Sequence, residues 1–237
     1  RLHSAARRHQ AMRRLTAVAS GLLMVTALVT ATALWPDQQP AALAILVPDG
    51  LHDEAPYLWA GCSASVAANG VVVTAAHCVH ADDPPWRAIT GVTDLCQPLP
   101  EIAVVSEPLR LVARDEHSDI AVLVTPEAER EALAQHPSEP SPGAILEVWG
   151  YGARSVAGPR ACTPHHAMQV VVDRAECHAA GVEATVKLCV RNGSDGDGVC
   201  TGDSGGPVYA DGHLVGVTSS GVDCVPGSIG TVALMAR

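Results

Sequence analysis

The sequence predicts an all-β protein made of two small β domains. Short apolar runs rich in Val alternate with Gly, Pro, Asp and Asn at near-regular spacing, which is typical of a β-sandwich or barrel. These runs lie at residues 70–74, 102–105, 120–124, 145–148, 169–173, 207–209 and 214–218. Helical periodicity is weak outside residues 126–135. A Pro-rich stretch at residues 137–143 divides the rest of the chain into two similar halves, and we interpret it as a linker.

The composition fits a globular chain and excludes several functional classes. Charged residues make up 17% and hydrophobic residues 48% of the 237 positions, which excludes an intrinsically disordered chain. The net charge of −10 disfavours a nucleic-acid partner held through its phosphates. The chain has eight cysteines and no Cys-x-x-Cys pair, so we expect disulfides and an oxidising compartment rather than a zinc site.

The N-terminus has the layout of a secretory signal, in which a basic flank precedes an apolar run. Residues 15–35 are uncharged and largely apolar. Five arginines precede them: Arg1, Arg7, Arg8, Arg13 and Arg14. We expect a basic region and signal peptide at residues 1–33, with cleavage after Ala33 or, in the longer alternative, after Ala44. An uncleaved segment that anchors the protein to the outer face of the membrane is the other possibility, since about 20 apolar residues span a bilayer.

Three short segments at strand ends carry the residue types needed for acyl transfer. His77 follows an apolar strand, Asp119 directly precedes another, and Ser204 lies within Gly-Asp-Ser-Gly-Gly-Pro. Taken singly, each has an ordinary interpretation as a surface histidine, a turn residue or a flexible loop. Together they supply a nucleophile, a base and an orienting carboxylate. Asp115 and Glu116 are alternatives for the acid, but neither directly precedes the apolar strand.

These motifs resemble the markers of the chymotrypsin/trypsin family of S1-type serine proteases, here of a bacterial secreted kind. The markers are Thr-Ala-Ala-His-Cys, an Asp before an Ile-Ala-Leu-type strand, and Gly-Asp-Ser-Gly-Gly-Pro, in that order. Residues 149–152 and 214–221 are similar to the family's Gly-Trp-Gly turn and to its substrate-binding strand. The resemblance covers roughly residues 56–227. It implies two six-stranded antiparallel β-barrels at residues 45–136 and 144–237, with the active site in the cleft between them.

The chain order of the three motifs also excludes the nearest competing fold. The Gly-x-Ser-x-Gly pattern around Ser204 formally matches the nucleophile elbow of α/β-hydrolases. That fold needs an acid and then a histidine after the serine. The chain contains one histidine after Ser204, at His213, which leaves no room for the rest of such a sheet.

The resemblance assigns a role to each residue of the site. Ser204 would be the nucleophile, His77 the general base and Asp119 the acid that orients the imidazole. The backbone N–H groups of Gly202 and Ser204 would form the oxyanion hole. Asp203 would pair with a liberated N-terminal amine, and we hypothesise that cleavage after Ala44 exposes Ile45 for this purpose.

The resemblance also places the primary specificity pocket. Gly198 would form its floor, with Ser219 and Gly221 along one wall and against the substrate backbone. Because members of the family that cleave after Arg or Lys have Asp at this floor, we expect an uncharged, apolar residue before the cut. Asp197 and Asp223 lie close enough in sequence that a shifted loop could instead favour a cation.

Three disulfides follow from the resemblance, namely Cys62–Cys78, Cys177–Cys189 and Cys200–Cys224. Elimination leaves Cys96 with Cys162, a pair that matches no family disulfide. The adjacent residues His165 and His166 have no third ligand nearby in sequence, so we expect them at the surface rather than in a metal site.

The sequence as a whole therefore predicts a secreted, monomeric serine endopeptidase that acts on protein or peptide substrates without a metal or other cofactor. It predicts no nucleic-acid partner, and a membrane contact only through a retained N-terminal segment. Two alternatives remain open: a catalytically inert member of the family that serves as a binding module, and an esterase on the same scaffold.

Overall fold

The computed structural model describes residues 39–51, 57, 61–68, 70–128, 139–193, 198–221 and 224–235. The expected export segment and most of the expected helical stretch at residues 126–135 lie outside this set. None of the helices within these residues is long and apolar enough to cross a membrane.

The described residues form thirteen strands, a 3-10 helix at Ala76–Cys78 and a short α-helix, α1, at Arg174–Ala179. The paired strands are all antiparallel. The strands are β1 Leu43–Pro48, β2 Ser63–Ala68, β3 Val71–Ala75, β4 Trp86–Thr90, β5 Val104–Val105, β6 Arg110–Asp115, β7 Ile120–Val124, β8 Ile145–Gly150, β9 His165–Val171, β10 Leu188–Asn192, β11 Pro207–Ala210, β12 His213–Gly221 and β13 Ile229–Leu234.

The prediction of an all-β protein with two barrel-like sheets is confirmed, and the two sheets differ in closure. Strands β8–β13 form a closed six-stranded barrel in the order β10-β13-β12-β11-β8-β9. The first seven strands form a sheet in the order β5-β4-β1-β2-β3-β7-β6. This sheet is curled but not fully closed. Across the gap between β4 and β6, the described contact is one isolated bridge, between Trp86 and Leu109.

Strand β1 begins two residues before the boundary expected for the first barrel. Leu43 and Ala44 are fully buried within it, as is Ile45. Alternate residues of β1 face two apolar clusters: Leu43, Ile45 and Val47 pack near Trp149, while Ala44 packs with β3. Residues 43 and 44 therefore belong to the core of the first sheet.

Strand β3 is buried on both faces, and this places the site between the two sheets. Val72 packs into the interior of the first sheet. Val71 and Val73 pack on the other side with Val217 and Ala233 of the barrel. A strand that is buried on both faces has a continuous apolar sequence rather than an alternating one, and the Val-Val-Val run of β3 fits this pattern. The residues that follow β3 consequently emerge at the boundary between the two sheets.

Four disulfides join all eight cysteines: Cys62–Cys78, Cys96–Cys162, Cys177–Cys189 and Cys200–Cys224. The pair Cys96–Cys162 connects a loop of the first sheet to the segment between β8 and β9, where the Leu95 N–H also donates to the Cys162 carbonyl at 2.6 Å. This disulfide closes the longest loop of the four, with a sequence separation of 66.

We expect the double variant Cys96→Ser/Cys162→Ser to fold with a free energy of unfolding that is lower by about 2–4 kcal/mol, because the unfolded chain regains the entropy of a long loop. Urea unfolding measures the loss. The matched control, Cys177→Ser/Cys189→Ser, opens a loop with a separation of 12 and should lose about 1.5 kcal/mol less on the same loop-length relation. A larger loss of unfolding free energy in the control would contradict the explanation by loop entropy.

Candidate active site

The register between β3 and β7 brings His77 next to Asp119. Ala75, the last residue of β3, lies opposite Ile120, the first residue of β7. The residues that follow β3 and the residue that precedes β7 are therefore neighbours. The Ala76 N–H donates to the Asp119 carbonyl at 3.1 Å, and the His77 N–H donates to Asp119 Oδ1 at 3.0 Å. These bonds hold Asp119 at φ 58°, a left-handed conformation that Asp tolerates better than most residues.

The side chains of His77 and Asp119 form a hydrogen-bonded pair. His77 Nδ1 lies 3.1 Å from Oδ1 and 3.0 Å from Oδ2 of Asp119. The hydroxyl of Ser219 donates to Oδ2 at 2.6 Å. Burial acts to raise the pKa of Asp119, but the hydrogen bonds from His77 and Ser219 outweigh it and leave the pKa below its ordinary value. The His77 side chain is 49% exposed, so one edge of the imidazole contacts the buried Asp119 carboxylate and the other edge faces the open cleft.

Ser204 lines the same cleft, which has a volume of about 610 Å³, as His77 and Asp119. Within the described residues, no hydrogen bond joins the Ser204 hydroxyl to the imidazole of His77. Catalytic hydrogen bonds in ligand-free sites are commonly long and shorten when substrate binds. The candidate nucleophile and the candidate base therefore line one cleft, and the imidazole of the candidate base is already held by Asp119.

The loop before β11 leaves two backbone donors free next to Ser204. Gly202 has φ +99°, a conformation that glycine adopts readily. Neither its N–H nor that of Ser204 donates a hydrogen bond to any residue that the structure describes. The Gly202 carbonyl is fixed by two donors from Ser63, its N–H at 3.1 Å and its hydroxyl at 2.9 Å. Two adjacent free N–H groups of this kind can stabilise an oxyanion.

Asp203 points away from the cleft into the protein and is 2% exposed. Its Oδ1 accepts from the Gly152 N–H at 2.7 Å, and its Oδ2 accepts from the Cys200 N–H at 2.9 Å. A Cβ atom on Gly150 would lie 2.1 Å from Asp203 Oδ1, and one on Gly152 would lie 2.5 Å from the Asp203 carboxyl group. The two glycines of Trp-Gly-Tyr-Gly therefore make room for this carboxylate.

The surroundings of Gly198 are polar but uncharged where the structure describes them. A Cβ atom on Gly198 would lie 2.7 Å from Nδ2 of Asn192. That amide donates to the hydroxyl of Ser228 at 2.9 Å and is buried. Ser219 and Gly221 lie in β12, and the Ser219 side chain lines the cleft. The two acids expected as alternative determinants, at positions 197 and 223, lie outside the described residues.

The family model for trypsin matches residues 51–235. The chain belongs to the trypsin family. It is a serine endopeptidase, and hence a hydrolase. The trypsin of Saccharopolyspora erythraea is 30% identical over 208 residues, which are 82% of this chain and 87% of that protein. Trypsin iota of Drosophila melanogaster is 27% identical over 73% of this chain and 75% of its own length.

Solved structures show the same trypsin fold. Neuropsin, a serine protease expressed in the limbic system of mouse brain, superposes with a TM-score of 0.66 and 21% identity, and the match covers 82% of this chain and 89% of neuropsin. Human heparin binding protein superposes with a TM-score of 0.63 and 19% identity, over 83% and 86% of the two chains.

Two buried serines of β2 hold the nucleophile loop of this trypsin-family protein, and we did not predict them. The Ser63 hydroxyl donates to the Gly202 carbonyl and accepts from the Tyr151 N–H at 3.1 Å. The Ser65 hydroxyl donates to the Gly205 carbonyl at 2.9 Å. The available signal was the Ser-x-Ser alternation within an otherwise apolar strand. Ser63 thus supplies a side-chain hydrogen bond to the loop that carries Ser204.

Two cations were also missed, one that lines the cleft and one that lies close to Gly61 and Gly202. Lys187 lines the cleft and donates to the Ser219 hydroxyl at 3.3 Å. Arg160 donates to the Gly61 carbonyl at 2.6 Å, and its guanidinium would lie 2.9 Å from a Cβ on Gly202. Burial lowers the pKa of Arg160, and the negative charge of Asp203 partly offsets this. No local motif marks either residue, because loops distant in sequence bring them to the site.

The expectation that both adjacent histidines lie at the surface is wrong for His165. His165 is 7% exposed, because the first residue of β9 faces the barrel interior opposite Gly150. His166 points the other way and packs edge-on against the ring of Trp149 at a centroid distance of 4.8 Å. The alternation of a strand separates the two side chains.

Proposed function

We propose that this trypsin-family protein is a secreted endopeptidase that cleaves peptide bonds through Ser204, His77 and Asp119. The observation that carries the proposal is the cleft that Ser204 and Gly202 line together with the hydrogen-bonded His77–Asp119 pair. The four disulfides support an oxidising destination.

Acylation would proceed by attack of Ser204 Oγ on the carbonyl carbon of the scissile bond. The hydroxyl proton passes to Nε2 of His77, while Asp119 keeps Nδ1 protonated and stabilises the imidazolium. The developing oxyanion accepts hydrogen bonds from the Gly202 and Ser204 N–H groups. The imidazolium then donates its proton to the departing amine, which leaves an ester of Ser204 with the first half of the substrate.

Deacylation would use the same groups with water as the nucleophile. His77 takes a proton from the water as its oxygen attacks the ester carbon. The oxyanion is held at the same two N–H groups. The proton returns from His77 to Ser204 Oγ as the C–O bond breaks, which releases the acid product and restores the enzyme.

The uncharged surroundings of Gly198 support a preference for an uncharged, apolar residue before the cut. The side chains described there are those of Asn192 and Ser228, whose polar atoms already bond to each other. Among the described residues, the atoms nearest to Gly198 carry no charge with which to pair a substrate cation. A panel of peptide substrates that differ in this residue tests the preference, and cleavage after Arg alone would exclude it.

We expect a fluorophosphonate probe to label the oxidised protein at Ser204, and we expect Ser204→Ala to abolish the labelling. His77→Ala should slow labelling by at least about a thousandfold, because the unassisted hydroxyl is a weak nucleophile. Gel fluorescence after timed exposure to the probe measures both effects. Correctly oxidised wild type without Ser204-dependent labelling would favour the inert binding module. Labelling with hydrolysis of esters but not of peptides would favour the esterase.

A further inference from the structure

One wall of the cleft carries a cation that the proposed mechanism does not use. Lys187 directly precedes β10, and its half-buried side chain lines the cleft together with Ser204 and Ser219. Its ammonium group donates to the Ser219 hydroxyl at 3.3 Å. An ammonium group has three donors. The hydrogen bond that the described residues supply therefore leaves two donors for a further acceptor.

The ammonium group of Lys187 has no acidic partner in the part of the chain that the structure describes. No carboxylate there lies within ion-pair distance of its Nζ. Glu116 also lines the cleft, but its charge is balanced by an ion pair with Arg114. The Asp119 carboxylate is buried and hydrogen-bonded within the protein. Lys187 therefore presents to the cleft a positive charge that has no counter-ion in contact.

Strand β12 offers an open edge to an extended peptide next to Lys187. Its pairing with β11 ends at Val217, and one further residue, Thr218, bonds to the loop that carries Ser204. The pairs described for residues 220–221 lie on the other side of the strand, with β13. Among the described residues, the cleft side of this segment is thus open, and a peptide can extend such an edge as an additional strand.

The alternation of side chains along an extended peptide decides which of them meets Lys187. In the proposed function, the first residue before the cut lies at Gly198. The third residue shares its face, while the second and fourth residues point the opposite way. Lys187 bonds to the Ser219 hydroxyl, which in turn bonds to Asp119 beside His77. The second and fourth residues before the cut are therefore the ones that face this side of the cleft.

We propose that Lys187 is a specificity-determining residue that binds the carboxylate of an Asp or Glu at the second or fourth position before the cut. The inference rests on the proposed function and adds a recognition site on the acyl side of the substrate. It does not alter the preference for an uncharged first residue, because that residue lies at Gly198. An ion pair at a half-buried site is screened less than an exposed one. We expect the acid to be favoured over its neutral amide by about five- to tenfold in kcat/KM.

Peptides that differ only by Glu or Gln at the second, third or fourth position before the cut test this preference. The measured quantity is the ratio of kcat/KM for the Glu peptide to that for the Gln peptide, which cancels differences in the amount of active enzyme. In wild type we expect a ratio of about five to ten at the second or fourth position and of about one at the third. A preference confined to the third position, or ratios near one throughout, would overturn the proposal. So would a preference for Lys that disappears in Glu116→Gln.

Variants of Lys187 test whether its charge is the cause. Lys187→Gln should reduce the ratio to about one, Lys187→Arg should keep it above about three, and Lys187→Glu should favour a Lys peptide over the Glu peptide. Arg110→Gln is the matched control, since it removes the same charge from an exposed position that pairs with Val124, at the end of β7 remote from Asp119. Its ratio should stay within about twofold of wild type. Equal losses in Lys187→Gln and Arg110→Gln would overturn the proposal.

Peptide binding to an inactive variant separates this inference from the proposed function. By fluorescence anisotropy, Ser204→Ala should bind the Glu peptide about five- to tenfold more tightly than the Gln peptide, and Ser204→Ala/Lys187→Gln should bind the two equally. If wild type shows neither Ser204-dependent labelling nor hydrolysis but this difference in binding is present, the proposed function fails and the role of Lys187 stands. If wild type cleaves the peptides with ratios near one, only the role of Lys187 fails.

Discussion

Asp119→Asn should lower kcat by about 10⁴-fold while the protein stays folded, because the amide no longer holds the imidazole of His77 in the tautomer that accepts a proton at Nε2. The carboxylate is the acceptor for His77 Nδ1 at both oxygens and for the Ser219 hydroxyl. Steady-state kinetics with a peptide substrate measure the loss. KM should change little, since the Asp119 side chain is only 10% exposed and its carboxylate is engaged by His77 and Ser219.

Asp115→Asn is the matched control for this experiment. Asp115 is the last residue of β6, at the start of the turn to β7, and its carboxylate accepts from the Ser118 hydroxyl at 2.7 Å and from the His117 N–H at 2.9 Å. These bonds lower the pKa of Asp115 but stabilise only the exposed turn. We expect kcat to stay within a few-fold of wild type. A larger loss in Asp115→Asn than in Asp119→Asn would transfer the orienting role to Asp115.

Asp119→Asn should also change how the stability of the protein depends on pH. The folded-state pKa of Asp119 lies below the ordinary value of 3.8, so its ionised carboxylate stabilises the fold at pH values above the unfolded-state pKa. This contribution is lost as the pH falls through the lower, folded-state pKa. Wild type should therefore be the more stable protein at neutral pH, and its advantage in Tm over Asp119→Asn should narrow below about pH 4.

Gly205→Ala should destabilise the protein by about 3 kcal/mol or more and abolish probe labelling at Ser204, because strain and overpacking add at this site. Gly205 has φ +81°, and a Cβ atom there would lie 2.0 Å from Thr74 Oγ1 and 2.4 Å from the Ser63 carbonyl oxygen. The backbone cannot easily withdraw, since the Gly205 N–H donates to Thr218 and its carbonyl accepts from Ser65. Urea unfolding and the labelling rate are the two measurements.

Gly212→Ala provides a control with the same backbone conformation and open space. Gly212 has φ +76° in the turn between β11 and β12, and a Cβ atom there would meet nothing within 4 Å. This variant should lose only about 1–2 kcal/mol from the left-handed conformation, with labelling at the wild-type rate. Equal losses of stability in Gly205→Ala and Gly212→Ala would mean that the contacts of the new Cβ atom with Thr74 and Ser63 do not destabilise the protein.

The fold class and the three candidate catalytic residues were predictable from sequence because each depends on a short local pattern. A Val-rich run that ends at His77, and an Asp placed directly before another such run, identify strand ends. The β3–β7 register that places these ends together is not visible in either run alone. The resemblance to a known family supplied that information.

The residues that were missed or misjudged depend on contacts between distant segments. His165 is buried because the first residue of β9 faces the barrel interior opposite Gly150, and no feature of the His-His pair indicates this. Strand β1 begins ten residues after the expected export segment at residues 1–33, and the longer alternative to residue 44 overlaps it. The apolar character of β1 therefore did not distinguish a core strand from the end of a signal. Its burial on both faces comes from β2, β4 and the neighbourhood of Trp149.

The two serine hydrogen bonds from β2 to the nucleophile loop connect positions 139 and 140 residues apart in the chain. The hydroxyl of Ser219 reaches Asp119 across a further separation of 100. Contacts of such long range form late in folding, because the entropy of closing large loops must be overcome first. Either sheet could thus acquire its hydrogen bonds while Ser204 still lacks its oriented neighbours. The surroundings of Ser204 would therefore be completed only once both sheets are in place.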